Sequence, residues 1–226
     1  MGKPHDIKLN YYADGTPSVL RKAVVYTNLR FYQRSDVLYQ MTRFFCERFL
    51  PNYGDRTVDQ MIQAARSTKQ NIAEGSSDGR SSLQIEIKLM GVARGSNIEL
   101  LEDYQDYLKR RGLTEWYKKN PRFEQMHLFC KNHSLLEDYS PLFPKMTDEE
   151  MANMAICLCH QVDSALAKYI ERLDRNFTAE GGIRERMTAA RTEQRANQIE
   201  IIEQQKREIE ALKAEVNRLK ALLNNQ

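Results

Sequence analysis

The stretch 65–82, ARSTKQNIAEGSSDGRSS, decides how this chain folds. A helical pattern runs up to Gly75, a small polar turn follows, and a second helical pattern starts at Ser81 or Ser82. Two glycines in such a turn invite a phosphate-loop reading, and the residues reject it. The glycine spacing is one residue short of G-x-x-x-x-G-K-[ST], Arg80 stands where lysine belongs, and no strand pattern precedes the turn. A hairpin of two helices accounts for more. Gly75 is expected in the left-handed conformation just past a helix end. Ser76, Ser77 and Asp78 favour turns, and Ser81 with Gln84 makes a capping box. Asn71 and Glu74 are expected to join the helices through a buried or half-buried polar network, with Arg66 and Arg94 as candidate partners.

The flanking segments carry the same period. Upstream, Ser35 reads as an N-cap, and Val37, Leu38, Met41, Phe44, Phe45 and Phe49 recur at three and four until Pro51 and Gly54 end the pattern. The second helix is expected from Asp55 to Glu74 on the apolar face of Val58, Met61, Ile62, Ala65 and Ile72. Beside that face lies a small or polar stripe, Gln60, Ala64, Ser67, Asn71 and Glu74, that suits close approach of another helix. The third helix, 82–111, has the row Leu83, Ile87, Met90, Ile98, Leu101 and Leu108. Gly91 and Gly95 share one of its faces and are expected to admit a neighbouring backbone. Residues 112–146 form a connection with Trp116 and a short helical pattern at Phe123, Met126, Phe129 and Cys130. Thr147 to Glu150 is a capping box that opens a fourth helix, to about Asp174.

Four long amphipathic helices are most simply buried in an antiparallel up-down bundle. The expected fold is therefore all-α. An N-terminal arm spans 1–34, with 18–34 either helical or extended. The four-helix bundle spans 35–180 with the inserted connection 112–146, and a coiled-coil tail spans 181–226.

The tail differs in kind. With Ile202, Ile209, Val216 and Leu223 at position a, position d holds Gln205, Leu212 and Leu219. Position e holds Lys206, Lys213 and Lys220, and position g holds Glu208 and Glu215. In a parallel pair Glu208 faces Lys213 and Glu215 faces Lys220, and β-branched a positions with leucine at d favour two strands. Packing of the same helix on its own bundle is the alternative.

Net charge is +3, but its distribution says more. Residues 19–94 carry twelve Lys or Arg against seven Asp or Glu, whereas 124–180 carry five against ten. That asymmetry suits an anionic partner on one side or subunits meeting through complementary faces. No apolar run is long enough for a membrane span. The N-terminus lacks an apolar signal core, and Asp6 stands where a Gly2 myristoylation site wants Ser or Thr, so a cytoplasmic setting is expected. Cys157-x-Cys159-His160 does not read as a metal site, because helical residues two apart face different directions. Neither a cofactor nor a metal is expected.

At N-I-A-E-G, 71–75, and A-R-G-S, 93–96, with Arg66-Ser67, Glu86 and Glu99-Leu100, the chain resembles a known bacterial four-helix-bundle family. It is the family first noted as open reading frames in intervening sequences of large-subunit ribosomal RNA genes, which includes the accessory variability determinant of diversity-generating retroelements. The resemblance covers residues 35–110 well and 147–175 by helical pattern, and the longer chain is similar to members with a suffix region. It implies an up-down bundle without a catalytic site. Retroelement members form a pentameric ring and bind a reverse transcriptase together with nucleic acid.

Two functions follow as expectations. One is a non-enzymatic oligomeric adaptor that binds nucleic acid, or an enzyme acting on it such as a reverse transcriptase, through Arg56, Arg66, Lys69, Arg80, Lys88, Lys109, Arg110 and Arg111. Such cations engage phosphates without reading bases. The other is a scaffold that assembles through Ile202, Ile209, Leu212, Val216, Leu219 and Leu223 and binds only protein. The homo-oligomer is a dimer through the tail or a pentamer like the retroelement members.

Overall fold

The computed structural model describes residue 7, residues 9–50 and residues 56–223, without the side chains of Glu180 and Leu223. The readings at Gly2, Asp6, Pro51, Gly54 and Asp55, and at the Leu223 side chain, lie outside the described residues. Seven α-helices and one two-stranded sheet are present among the described residues. The chain is all-α in class. It divides into two compact units, Lys22–Ala179 on one hand and Met1–Arg21 with Glu180–Gln226 on the other.

In the first unit, α1 is Arg30–Phe49, α2 Arg56–Asp78, α3 Leu83–Arg111, α4 Pro121–Asn132, α5 Leu136–Tyr139 and α6 starts at Asp148. α2 runs antiparallel to α1, since Lys69 meets Asp36 while Val58 and Ile62 lie by Phe44 and Glu47. α3 runs antiparallel to α2, with Ser96 Oγ donating to Ser67 Oγ at 2.9 Å and Gly75 against Leu89 and Met90. α6 runs antiparallel to α3: Tyr107 pairs with Asp148, Asn97 with the Cys159 carbonyl and Glu86 with Tyr169. One apolar core joins these four helices, and Val37, Met61, Met90, Leu100, Tyr104 and Leu158 are fully buried in it.

The opening hairpin is built differently from its sequence reading. α2 continues through Gly75 to Asp78, and Gly75 has no positive φ. A Cβ there would stand 3.1 Å from the Leu89 Cβ and 3.2 Å from the Met90 Cε. Glycine at 75 thus serves close helix contact and not a left-handed cap. Gly79 makes the turn's other close approach, and a Cβ on it would strike the Glu86 carboxylate. The N-cap of α3 is Ser82, whose Oγ accepts from Ile85 N at 3.3 Å. Ser81 instead donates to the Asp78 carbonyl, so no box forms with Gln84.

Other local expectations also shift. α1 begins at Arg30 after a 3-10 turn at Tyr26–Asn28; Ser35 is buried inside it and donates to the Tyr32 carbonyl at 2.7 Å. Gly91 and Gly95 face open space and admit no backbone. The buried row of α3 is Leu83, Glu86, Met90, Ala93, Asn97, Leu100 and Tyr104, while Ile85, Val92 and Ile98 are exposed. Gly112, at φ 65°, closes α3 with a bond from its N–H to the Lys109 carbonyl. The capping box that opens α6 forms as read: Glu150 N donates to Thr147 Oγ1, and Thr147 N donates to Glu150 Oε2.

In the second unit, β1 (Asn10–Tyr11) pairs antiparallel with β2 (Pro17–Ser18) within the N-terminal arm. Gly15, at φ 82°, makes the turn. This hairpin docks on α7, Ile183–Leu223: Arg186 Nε donates to the Val19 carbonyl at 2.9 Å and Tyr11 Oη donates to Glu193 at 3.0 Å. The residues break helicity at Gly181, φ 72°, which separates α7 from α6 (Asp148–Glu180).

Candidate functional site

Among the described residues, α7 carries more exposed large hydrophobic side chains than any other element. Its 41 residues extend about 60 Å at 1.5 Å per residue. The first three turns hold the hairpin. From 194 to 222 every side chain is exposed. Ile202, Ile209, Leu212, Val216 and Leu219 are each between 47% and 62% exposed and fall on one stripe of a 3.5-residue repeat. Helices in proteins draw most of their stability from packing an apolar face, and this stripe packs on nothing among the described residues. Glu208 and Glu215 flank the stripe on one side and Lys206, Lys213 and Lys220 on the other. The arrangement can bury its stripe against a like helix while opposite charges meet across it.

The cations read as phosphate contacts do not form one surface. Arg56, Arg66, Arg80, Lys88, Lys109, Arg110 and Arg111 are exposed. Lys69 is half-buried, donates to Asp36 at 2.6 Å and lies over the Tyr39 ring. Arg80 sits in the α2–α3 turn, at the far end of the hairpin from Arg56 and the 109–111 cluster. Arg110 stands 4.0 Å from Asp106, and Arg111 donates to the Phe49 carbonyl while lying over Tyr107.

Between α2 and α3 runs an open groove of about 690 Å³ lined by Arg56, Asp59, Glu99, Glu102, Asp103 and Asp106. Burial pushes the Asp103 carboxyl up to about 6, and Asp106 and Glu99 push in the same direction. This groove opposes a polyanion along the middle of the hairpin. Because the folded value lies above the unfolded 3.8, the folded state holds the proton more tightly, and stability falls as pH rises from about 4 to about 6. Asp103→Asn is therefore expected to stabilise the full chain at pH 7.5 by about 1 kcal/mol, well below the full shift because the carboxyl is half in solvent. The gain should vanish at pH 4. Paired thermal melts at the two pH values check it, and an equal gain at both would contradict this account.

The motif residues are placed as follows. Asn71 donates to its own helix, to the Ser67 carbonyl and hydroxyl, and Glu74 is exposed and accepts from Gln70. Neither reaches Arg66 or Arg94. Arg94 donates to Asp163 of α6 at 2.6 and 3.3 Å. The buried polar link is Glu86, which accepts from Tyr169 Oη at 2.6 Å; burial and that carboxylate both push the Tyr169 hydroxyl up. Glu99 lines the acidic groove. Sequence reading missed Asp103, and it missed the approach of His127 to Cys157, because neither makes a local motif. Cys157 faces His127, while Cys159 lies by Tyr104 in the core.

No group of three or more His, Cys, Asp or Glu suited to a metal ion occurs among the described residues, and none of their helices is long and apolar enough to cross a membrane. The chain matches no family model, no curated protein and no solved structure.

Proposed function

We propose that this chain is a non-enzymatic, self-assembling adaptor. In this reading α7 joins two copies in a parallel two-stranded coiled coil, and Lys22–Ala179, an up-down four-helix bundle, engages the partner. One observation carries it: the exposed heptad stripe of α7 with oppositely charged flanks. The resemblance at 71–75 and 93–96 to a bundle family whose retroelement members are non-enzymatic accessory proteins supports the adaptor role, and the α7 heptads, not that resemblance, carry the two-stranded assembly. Charge reversal tests it on the full chain. Glu208→Lys with Glu215→Lys should weaken self-association by at least roughly thirtyfold, at about 0.5 kcal/mol for each of the four pairs that a parallel dimer loses, before repulsion is added. Adding Lys213→Glu and Lys220→Glu should restore it. Failure of the second pair to rescue the first would count against a parallel register.

Nucleic acid is the second reading for the partner, and one observation favours it: Arg56, Lys109, Arg110 and Arg111 are exposed together at one end of the α2–α3 hairpin. Lys109→Gln with Arg110→Gln is expected to weaken binding of single-stranded RNA and duplex DNA alike and to flatten the salt dependence by up to about two phosphate contacts. A gel-shift titration at two salt concentrations reads this, and no binding by the unaltered chain at low salt would remove the reading.

A further inference from the structure

A second chemistry-bearing cluster lies in the unit Lys22–Ala179. Between α4 and α6 opens a cleft of about 650 Å³. Its ionisable lining is Arg34 from α1, His127 and Lys131 from α4, and Cys157, His160 and Lys168 from α6. No carboxylate is among the described residues that line it.

Arg34 is only 9% exposed. Its Nη2 donates to the carbonyls of Cys130 and Lys131 at 3.0 and 3.1 Å, in the last turn of α4. Its Nε is buried without a hydrogen-bond partner, although the side chain lines the cleft. That N–H is closed to solvent, so Arg34 lends the cleft wall its charge and not an open donor.

The Cys157 sulfur lies at the same place. It stands 3.7 Å from His127 Nδ1, and Gln161 Nε2 donates to it at 3.7 Å. The Cys130 thiol hydrogen-bonds to it as well. The Cys130 thiol and then His127 hold Cys157 below the ordinary thiol range against the opposing effect of burial. Cys130, next to Tyr139 of α5, is pushed up by its bond to Cys157 and by burial, so it keeps its proton. Burial and then Cys157 raise Cys159, and chiefly burial takes Cys46 up to about 12. Two sulfurs, one held below the ordinary thiol range and one pushed above it, therefore meet beside a cationic cleft.

We propose that Cys157 is an oxidation site for small peroxides, with Cys130 as its resolving thiol. The peroxide enters the α4–α6 cleft, whose ionisable lining is cationic or thiol and carries no carboxylate among the described residues. The Cys157 thiolate attacks one of its oxygens. An S–O bond forms, the O–O bond breaks, and the leaving hydroxide takes a proton from His127 to become water. Cys157 is now a sulfenic acid. Cys130 sulfur attacks it, the S–O bond breaks, and the thiol proton leaves with the hydroxyl as a second water. Two thiols lose two electrons in all, and one peroxide becomes two waters.

The test uses the full chain and hydrogen peroxide. Non-reducing peptide mapping should show a Cys130–Cys157 disulfide and a loss of two hydrogens, with Cys46 and Cys159 still alkylatable. At pH 6.5 the oxidation should run roughly tenfold faster than that of an unstructured peptide carrying Cys157, because more thiolate is present. Cys130→Ser should stop at a Cys157 sulfenic acid that a cyclic 1,3-diketone traps. His127→Gln should move the pH–rate profile of oxidation upward without changing the far-ultraviolet spectrum. Oxidation of Cys157 no faster than of the peptide, or of Cys46, overturns the proposal. A lasting sulfenic acid in the unaltered chain overturns the role of Cys130.

Discussion

Tyr104→Ala lowers the unfolding free energy of the full chain by about 4 kcal/mol, the loss expected for removing a large side chain from a core that cannot collapse around it. Tyr104 is completely buried. Its ring meets Phe45 of α1 edge-on at 5.1 Å, and its hydroxyl donates to Thr42 Oγ1 at 3.0 Å. The substitution removes ring contacts between α1 and α3 and also strands a buried threonine hydroxyl. Tyr104→Phe keeps the ring and should cost only about 1 kcal/mol. Urea unfolding of the three proteins measures both steps. A loss under about 1 kcal/mol for the alanine variant would mean that α1 and α3 do not share this core.

Ile209→Asp with Val216→Asp should abolish self-association while leaving the melting of the helical unit unchanged. Each is an a position, so a two-stranded coil buries four of these side chains. At about 1.5–3 kcal/mol per buried aliphatic side chain, their loss weakens assembly by at least about ten-thousandfold before the cost of burying four carboxylates is added. Light scattering at micromolar concentration reads the mass, and the melting transition of the unit Lys22–Ala179 serves as the internal control. A variant that still assembles would remove the α7 stripe from the interface.

Much of this was legible in the sequence because helical periodicity is a property of whole segments. The helices and the Thr147–Glu150 box follow from spacing. The hairpin details do not. Glycine serves both a left-handed cap and a close helix contact, and residues 65–82 cannot say which; at Gly75 it is contact with Leu89 and Met90. The buried row of α3 was obscured because two of its members are polar. Glu86 and Asn97 sit inside only because Tyr169 and the Cys159 carbonyl, 83 and 62 residues away, receive them. Ile98, which looked like core, is exposed in consequence. The same distance in sequence concealed the cleft. Cys157 and His127 are 30 residues apart and lie on different helices, and only the packing of α4 against α6 brings them together.

Self-assembly through α7 is the central claim, and sedimentation equilibrium of the full chain tests it most directly. A mass of twice the 26.4 kDa chain, independent of rotor speed at micromolar concentration, is predicted. A mass of one chain across that range, or of five, would contradict the two-stranded coil.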